Sequence, residues 1–256
     1  FGYIKDPRID EIKNKRNIKK DYALIFDVKE EEVALSQEEW EENPNKFKIL
    51  NSDLYLRHLV IPDGLVLPRH ISGSLFLDGL YNADDLIFPQ SIGGNLYLDG
   101  LYDAEKLILP QSIGDTLFLG GLSTAEGVVL PQKICNLDLS GIISPKGLIL
   151  PRHIDGDLFL DNLTSANGLL LPQSVDGDLD LSGLPSAEGL VLPQSVGGSL
   201  NLSGLTSANG LVLPYDFNLN KLICPSYIKN EILQNPDKYF RKPPSEEENI
   251  SIHHKR

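Results

Sequence analysis

Leu86-Ile87-Phe88-Pro89-Gln90-Ser91-Ile92-Gly93-Gly94-Asn95-Leu96-Tyr97-Leu98 belongs to a repeat whose reading decides the fold of this chain. The complete unit runs approximately L-x-L-x-G-L-x-x-A-x-G-L-x-L-P-Q-S-I-G-G-x. Its L-x-L triplet begins at Leu54, Leu75, Leu96, Leu117, Leu137, Leu158, Leu179 and Leu200, a spacing of 21 residues broken once by a 20. The closing prolines keep the same beat, from Pro68 through Pro131 to Pro214. A unit this short cannot bury a core alone, so the units must stack, each touching only its neighbours.

The triplet alternates with period two, which predicts a strand with its leucines inward and its middle residue outward. Stacked units place these strands side by side as a parallel sheet, about 4.8 Å per rung. A second apolar triplet precedes each proline, as in Leu65-Val66-Leu67 and Leu190-Val191-Leu192. Apolar at all three places, it reads as an extended segment covered on both sides. The proline ends it, having no N–H to give a ladder. The pairs Gly93-Gly94 and Gly197-Gly198 read as tight corners needing backbone angles closed to other residues.

These units resemble the short bacterial leucine-rich repeat, L-P-x-x-L-x-x-L-x-V-x-x-N-x-L. Leu130-Pro131-Gln132-Lys133-Ile134-Cys135-Asn136-Leu137-Asp138-Leu139 follows its spacing without a gap, and the other units insert one residue in the glycine corner. Where that family buries an asparagine, this chain has Leu80, Leu101, Leu122, Ile142, Leu163, Leu184 and Leu205. The family's internal hydrogen-bond ladder therefore has no counterpart at that position, and a generic β-solenoid stays open. The expected fold is a repeat solenoid, a leucine-rich-repeat-like β-solenoid with a parallel sheet of L-x-L strands. The resemblance implies a protein-recognition surface, as in bacterial surface proteins or secreted effectors that act on host proteins; the compartment stays open between the bacterial cytoplasm and a host cell.

Residues 51–215 form the array, about eight coils, and hold most of the net charge of −13: 6 basic against 18 acidic side chains. Such a balance argues against a nucleic-acid binder, which needs clustered Lys and Arg. No apolar run approaches the roughly 18 residues of a membrane span, so no membrane insertion is expected. Two cysteines, Cys135 and Cys224, exclude a disulfide scaffold or cysteine zinc cluster and read as reduced thiols. The chain begins with Phe1 and contains no Met, so it reads as a segment of a longer or processed protein.

A solenoid needs capped ends. Residues 1–50 read as a small α/β N-terminal cap, with a strand over Tyr22–Val28 and a helix containing Trp40 opened by the capping box Ser36-Gln37-Glu38-Glu39. Residues 216–242 read as a short helical C-terminal cap, with a helix from Tyr227 to about Gln234. Residues 243–256 read as a mobile tail.

The outward residue of successive triplets is Tyr55, Phe76, Tyr97, Phe118, Asp138, Phe159, Asp180 and Asn201; beside them stand Arg57, Asp78, Asp99 and Asp161. Aromatic residues next to charge are the usual make-up of recognition hot spots, so Tyr55, Phe76, Tyr97, Phe118, Phe159, Asp78, Asp99 and Asp161 are the candidate partner-binding residues. Stacked aromatics that only stabilise the sheet are the competing reading. Asp155-Gly156-Asp157 and Asp176-Gly177-Asp178 read chiefly as turn acids, with a structural cation as the alternative. His70 and His153 occupy equivalent places four rungs apart and cannot share a metal; no cofactor is expected. No nucleophile–base or phosphate-binding motif appears, so no enzyme is expected within these residues. The expected function is a protein–protein interaction module. The alternatives are the targeting arm of an effector whose catalytic domain lies elsewhere, and an acidic mimic of DNA; the oligomeric state stays open.

Overall fold

The computed structural model describes residues 18–24, 27–60, 65–84, 86–102, 104 and 107–242. Its spine is a nine-stranded parallel sheet, ordered along the chain from Leu54–Tyr55 to Leu222–Ile223. Leu54, Leu75, Leu96 and Leu117 align in register, followed by Leu137, Leu158, Leu179 and Leu200. The ninth strand comes from beyond the repeats, where Leu222 pairs with Leu200. Every triplet leucine from Leu75 to Leu202 is buried, and so is the apolar column from Leu80 to Leu205. The chain is a parallel β-solenoid of about eight turns.

A second wall is built from the residues after each proline. It forms one sheet of five strands, Val33–Ala34, Ile49–Leu50, His70–Ile71, Ser91–Ile92 and Ser112–Ile113, and another of three, His153–Ile154, Ser174–Val175 and Ser195–Val196. The gap falls at Lys133-Ile134, in the unit that lacks one corner residue. A period-two ladder tolerates no missing residue without a slip. The spine absorbs the deletion, since Asn136–Asp138 still pairs with Thr116–Phe118.

The segment before each proline corrects the sequence reading. Its first residue faces the core, and its third is buried or half-buried. Its middle residue stands out in all eight rungs: Val66, Ile87, Ile108, Val129, Ile149, Leu170, Val191 and Val212, from 41% exposed at Val212 to 82% at Ile87. An extended backbone alternates its faces, so three successive apolar residues cannot all point inward. The glycine corners are also corrected. Positive φ occurs at Gly127, Gly147, Gly168, Gly189 and Gly210, just ahead of these segments, and not at the Gly-Gly pairs. Gly197 is needed for close approach instead, since a Cβ there would lie 2.1 Å from the Asp176 carbonyl oxygen.

At the amino-terminal end, Val33–Ala34 and Ile49–Leu50 extend the second wall. The helix Gln37–Glu42 is capped by Ser36, whose hydroxyl accepts the Glu39 N–H at 3.2 Å, and it buries Trp40. The strand expected over Tyr22–Val28 is overturned: residues 18–24 are helical, and residues 25 and 26 lie outside the described ones. Asp27 takes a left-handed φ of 51° just past that helix, and the Val28 N–H reaches back to the Ala23 carbonyl. Packing of Ala23 with Val33 and Ile49 outweighs the β-propensity of the segment. At the other end the helices Ser226–Gln234 and Pro236–Tyr239 bury Ile228, Ile232 and Tyr239. The tail expected over 243–256 lies outside the described residues.

Candidate functional site

The outward residues of the spine form a continuous ring stack at its amino-terminal half. Centroids of Tyr55, Phe76, Tyr97 and Phe118 follow one another at 4.5, 4.4 and 4.5 Å, with rings within 10° of parallel. The strand spacing imposes this separation, and offset stacking is favourable there. Tyr55, at the open end, is 49% exposed, whereas Phe76, held between two rings, is 9% exposed. The Arg57 guanidinium lies 4.3 Å from the Phe76 centroid and 3.0 Å from an Asp78 carboxylate oxygen. The tyrosine hydroxyls are tied to the rim: Tyr55 donates to Asp53 at 2.9 Å, and Tyr97 accepts from Asn95 at 3.2 Å. The Asp53 bond holds the Tyr55 phenol above its usual range.

Acids run beside and beyond the stack. Burial raises the Asp99 carboxyl, Asp138 and Asp78 raise it further, and the Gly120 N–H donating at 2.9 Å opposes them. Burial likewise raises Asp161, with Asp180 and Asp138 adding to it. Asp138 and Asp180 each accept the N–H two residues on, from Ser140 and Ser182. The structure thus brings Tyr55, Phe76, Tyr97, Phe118, Asp78 and Asp99 together on adjacent rungs. Phe159 and Asp161 stand apart, because Asp138 occupies the rung between Phe118 and Phe159.

Two relationships escaped the sequence reading. The residue just before each triplet carries a side-chain ladder. Asp53 accepts the Ser74 N–H at 2.7 Å, Ser74 accepts that of Asn95 at 3.0 Å, and Asn95 accepts that of Thr116 at 2.9 Å. Beyond the short unit, Asn136 accepts from Asp157, Asp157 from Asp178, and Asp178 from Ser199. This gives the carboxylates of Asp157 and Asp178 a backbone role, and among the described residues no group of three or more His, Cys, Asp or Glu is arranged to hold a metal.

The second relationship is at His153, whose Nδ1 lies 2.6 Å from the Ser174 hydroxyl while Nε2 lies 3.0 Å from Asp155 and 3.4 Å from Asp176. His70 and Ser91 repeat the first contact at 2.8 Å. The offset of 21 residues was the available signal. The order carboxylate–imidazole–hydroxyl suits proton relay. However, the N–H groups of Gln173, Asp176 and Gly177 are already bonded to Arg152, Ile154 and Gly156, so they are not available to an oxyanion. Cys135 and Cys224 are free thiols, each pushed up by burial.

Among the described residues no helix is long and apolar enough to cross a membrane. Comparison with known protein families, curated proteins and solved structures returned no match.

Proposed function

We propose that this chain is a protein-recognition module that binds a partner bearing Lys or Arg side chains across the outer face of the nine-stranded spine. The carrying observation is the run of carboxylates beside and beyond the ring stack, Asp78 and Asp99 next to it and Asp138, Asp161 and Asp180 on the rungs that follow; burial and neighbouring acids raise Asp99 and Asp161. Like charges held together cost stability, and a basic partner relieves that cost on binding. The exposed ring of Tyr55 and the half-buried Tyr97 and Phe118 supply apolar contact and cation–π acceptance. The likeness of the repeats to short bacterial leucine-rich repeats supports the same reading and suggests a bacterial surface protein or effector.

The test is capture of partners on the immobilised chain, their identification by mass spectrometry, and titration of each purified partner. Tyr97→Ala with Phe118→Ala, and separately Asp99→Asn with Asp161→Asn, are expected to weaken binding about tenfold or more, with the circular dichroism spectrum retained. A partner whose affinity is untouched by both pairs would sink the proposal. Loss of fold in the aromatic pair alone would assign the rings to sheet stability and leave the acid pair to decide.

A further inference from the structure

The aliphatic column from Val66 to Val212 is a separate feature on a different face. Outward positions elsewhere are mostly polar: the second wall presents His70, Ser91, Ser112, His153, Ser174 and Ser195 at its equivalent place. Extended geometry alone therefore does not demand apolar residues facing water. Yet every rung of this face carries Val, Ile or Leu there, with Ile87, Ile108, Ile149 and Leu170 each more than three-quarters exposed. A single exposed aliphatic residue needs no explanation, but a contiguous line of eight does.

Size and charge indicate what covers it. Seven steps of about 4.8 Å make the column roughly 34 Å long. Five residues of extended chain, from the first apolar position to the one after proline, add a width of about 17 Å. The face therefore offers roughly 600 Å², so two copies together cover roughly 1,200 Å², the lower end of the range for a stable interface. The column after the prolines, from Arg69 to Gln194, consists of five glutamines and two arginines without a carboxylate. In a chain of net charge −13, this edge brings no carboxylate to the interface. The opposite edge carries Asp84, Glu126 and Glu188 with Lys146, so a two-fold axis along the stack lays the Gln/Arg edge of one copy over the acidic edge of the other.

We propose that the aliphatic column is a homodimer interface, in which two copies pack this face together about a two-fold axis. The same patch serves both copies, so the pairing closes and does not propagate. Two such walls lie about 10 Å apart, the distance at which the side chains of facing sheets interdigitate.

Sedimentation of the wild-type chain from low to high micromolar concentration is expected to show a species of twice 28.3 kDa. Ile108→Asn with Ile149→Asn should weaken self-association about tenfold or more, with an unchanged circular dichroism spectrum. Lys133→Glu, outside the column, should leave it intact. Hydroxyl-radical footprinting of the wild-type chain is a second measurement independent of any variant. Oxidation of Ile108, Ile149 and Leu170 should fall as concentration rises through the transition. A chain that stays monomeric throughout overturns the proposal, whether or not the column then binds another protein or lipid vesicles. A dimer unaffected by the paired substitution, or a column left unprotected in the dimer, overturns it equally.

Discussion

One carboxylate oxygen of Asp157 accepts the backbone N–H of Asp178, one rung further on, at 2.7 Å. The corner before each spine strand is where successive rungs come close, and the strand ladder has not yet begun there. A side-chain acceptor one unit back supplies what the main chain cannot. The apolar column from Leu80 to Leu205 can therefore stay free of hydrogen-bonding groups.

Asp157→Ala should lower stability by about 1 kcal/mol, because it leaves the Asp178 N–H without its acceptor. Asp157→Asn keeps an acceptor oxygen in place and should lose much less. Urea denaturation of both variants checks the pair; equal losses would remove the acceptor role.

Leu163→Asn places an amide in a fully buried position among leucines. Its turn is already closed, with the Leu163 N–H bonded to the Leu160 carbonyl at 3.2 Å. Lost apolar burial and an unpartnered amide should together cost about 3 kcal/mol or more. A variant as stable as wild type would show that the core accommodates a buried amide at this position.

Two glycines separate two kinds of backbone requirement. Gly168 has φ +80°, and a methyl added there would meet nothing within 4 Å, so Gly168→Ala should cost only the left-handed penalty, about 1 kcal/mol. Gly197→Ala meets the Asp176 carbonyl and must push two rungs apart, so its loss should be larger. Thermal melting of both variants ranks them, and the reverse order would contradict the packing.

The acid column makes stability depend on pH. Asp99 and Asp161 are held above their ordinary value of 3.8, so the folded chain binds these protons more tightly than the unfolded chain. Stability therefore falls as pH rises from 3.8 through the folded-state values, and the penalty is complete above them. Asp99→Asn with Asp161→Asn should raise the urea midpoint at pH 7 and lose that advantage as pH falls towards 3.8. A double variant less stable than wild type at pH 7 would reverse the sign.

The rung itself was legible because its determinants are local. Period-two leucines, a regular spacing and a proline stop predict stacked parallel strands without any distant contact. The candidate aromatic column followed from the same alternation, and Tyr55, Phe76, Tyr97 and Phe118 do stack. The helix at 18–24 was illegible because Tyr22–Val28 has strand composition, and only packing against Val33 and Ile49 makes Ala23 a helix-face residue. The ladder through Asp53, Ser74 and Asn95 was hidden by its varied chemistry, since three residue types perform one acceptor role.

The number of rungs, their spacing and the leucines that fill them are written in the order of residues alone, because burial with period two needs only neighbours along the chain. Three-dimensional packing decides which member of each Leu-Ile-Leu segment meets water, which glycine carries positive φ, and that His153 meets Ser174. Those outcomes depend on how the coil turns between its walls, and one rung must rest on another before any of them exists.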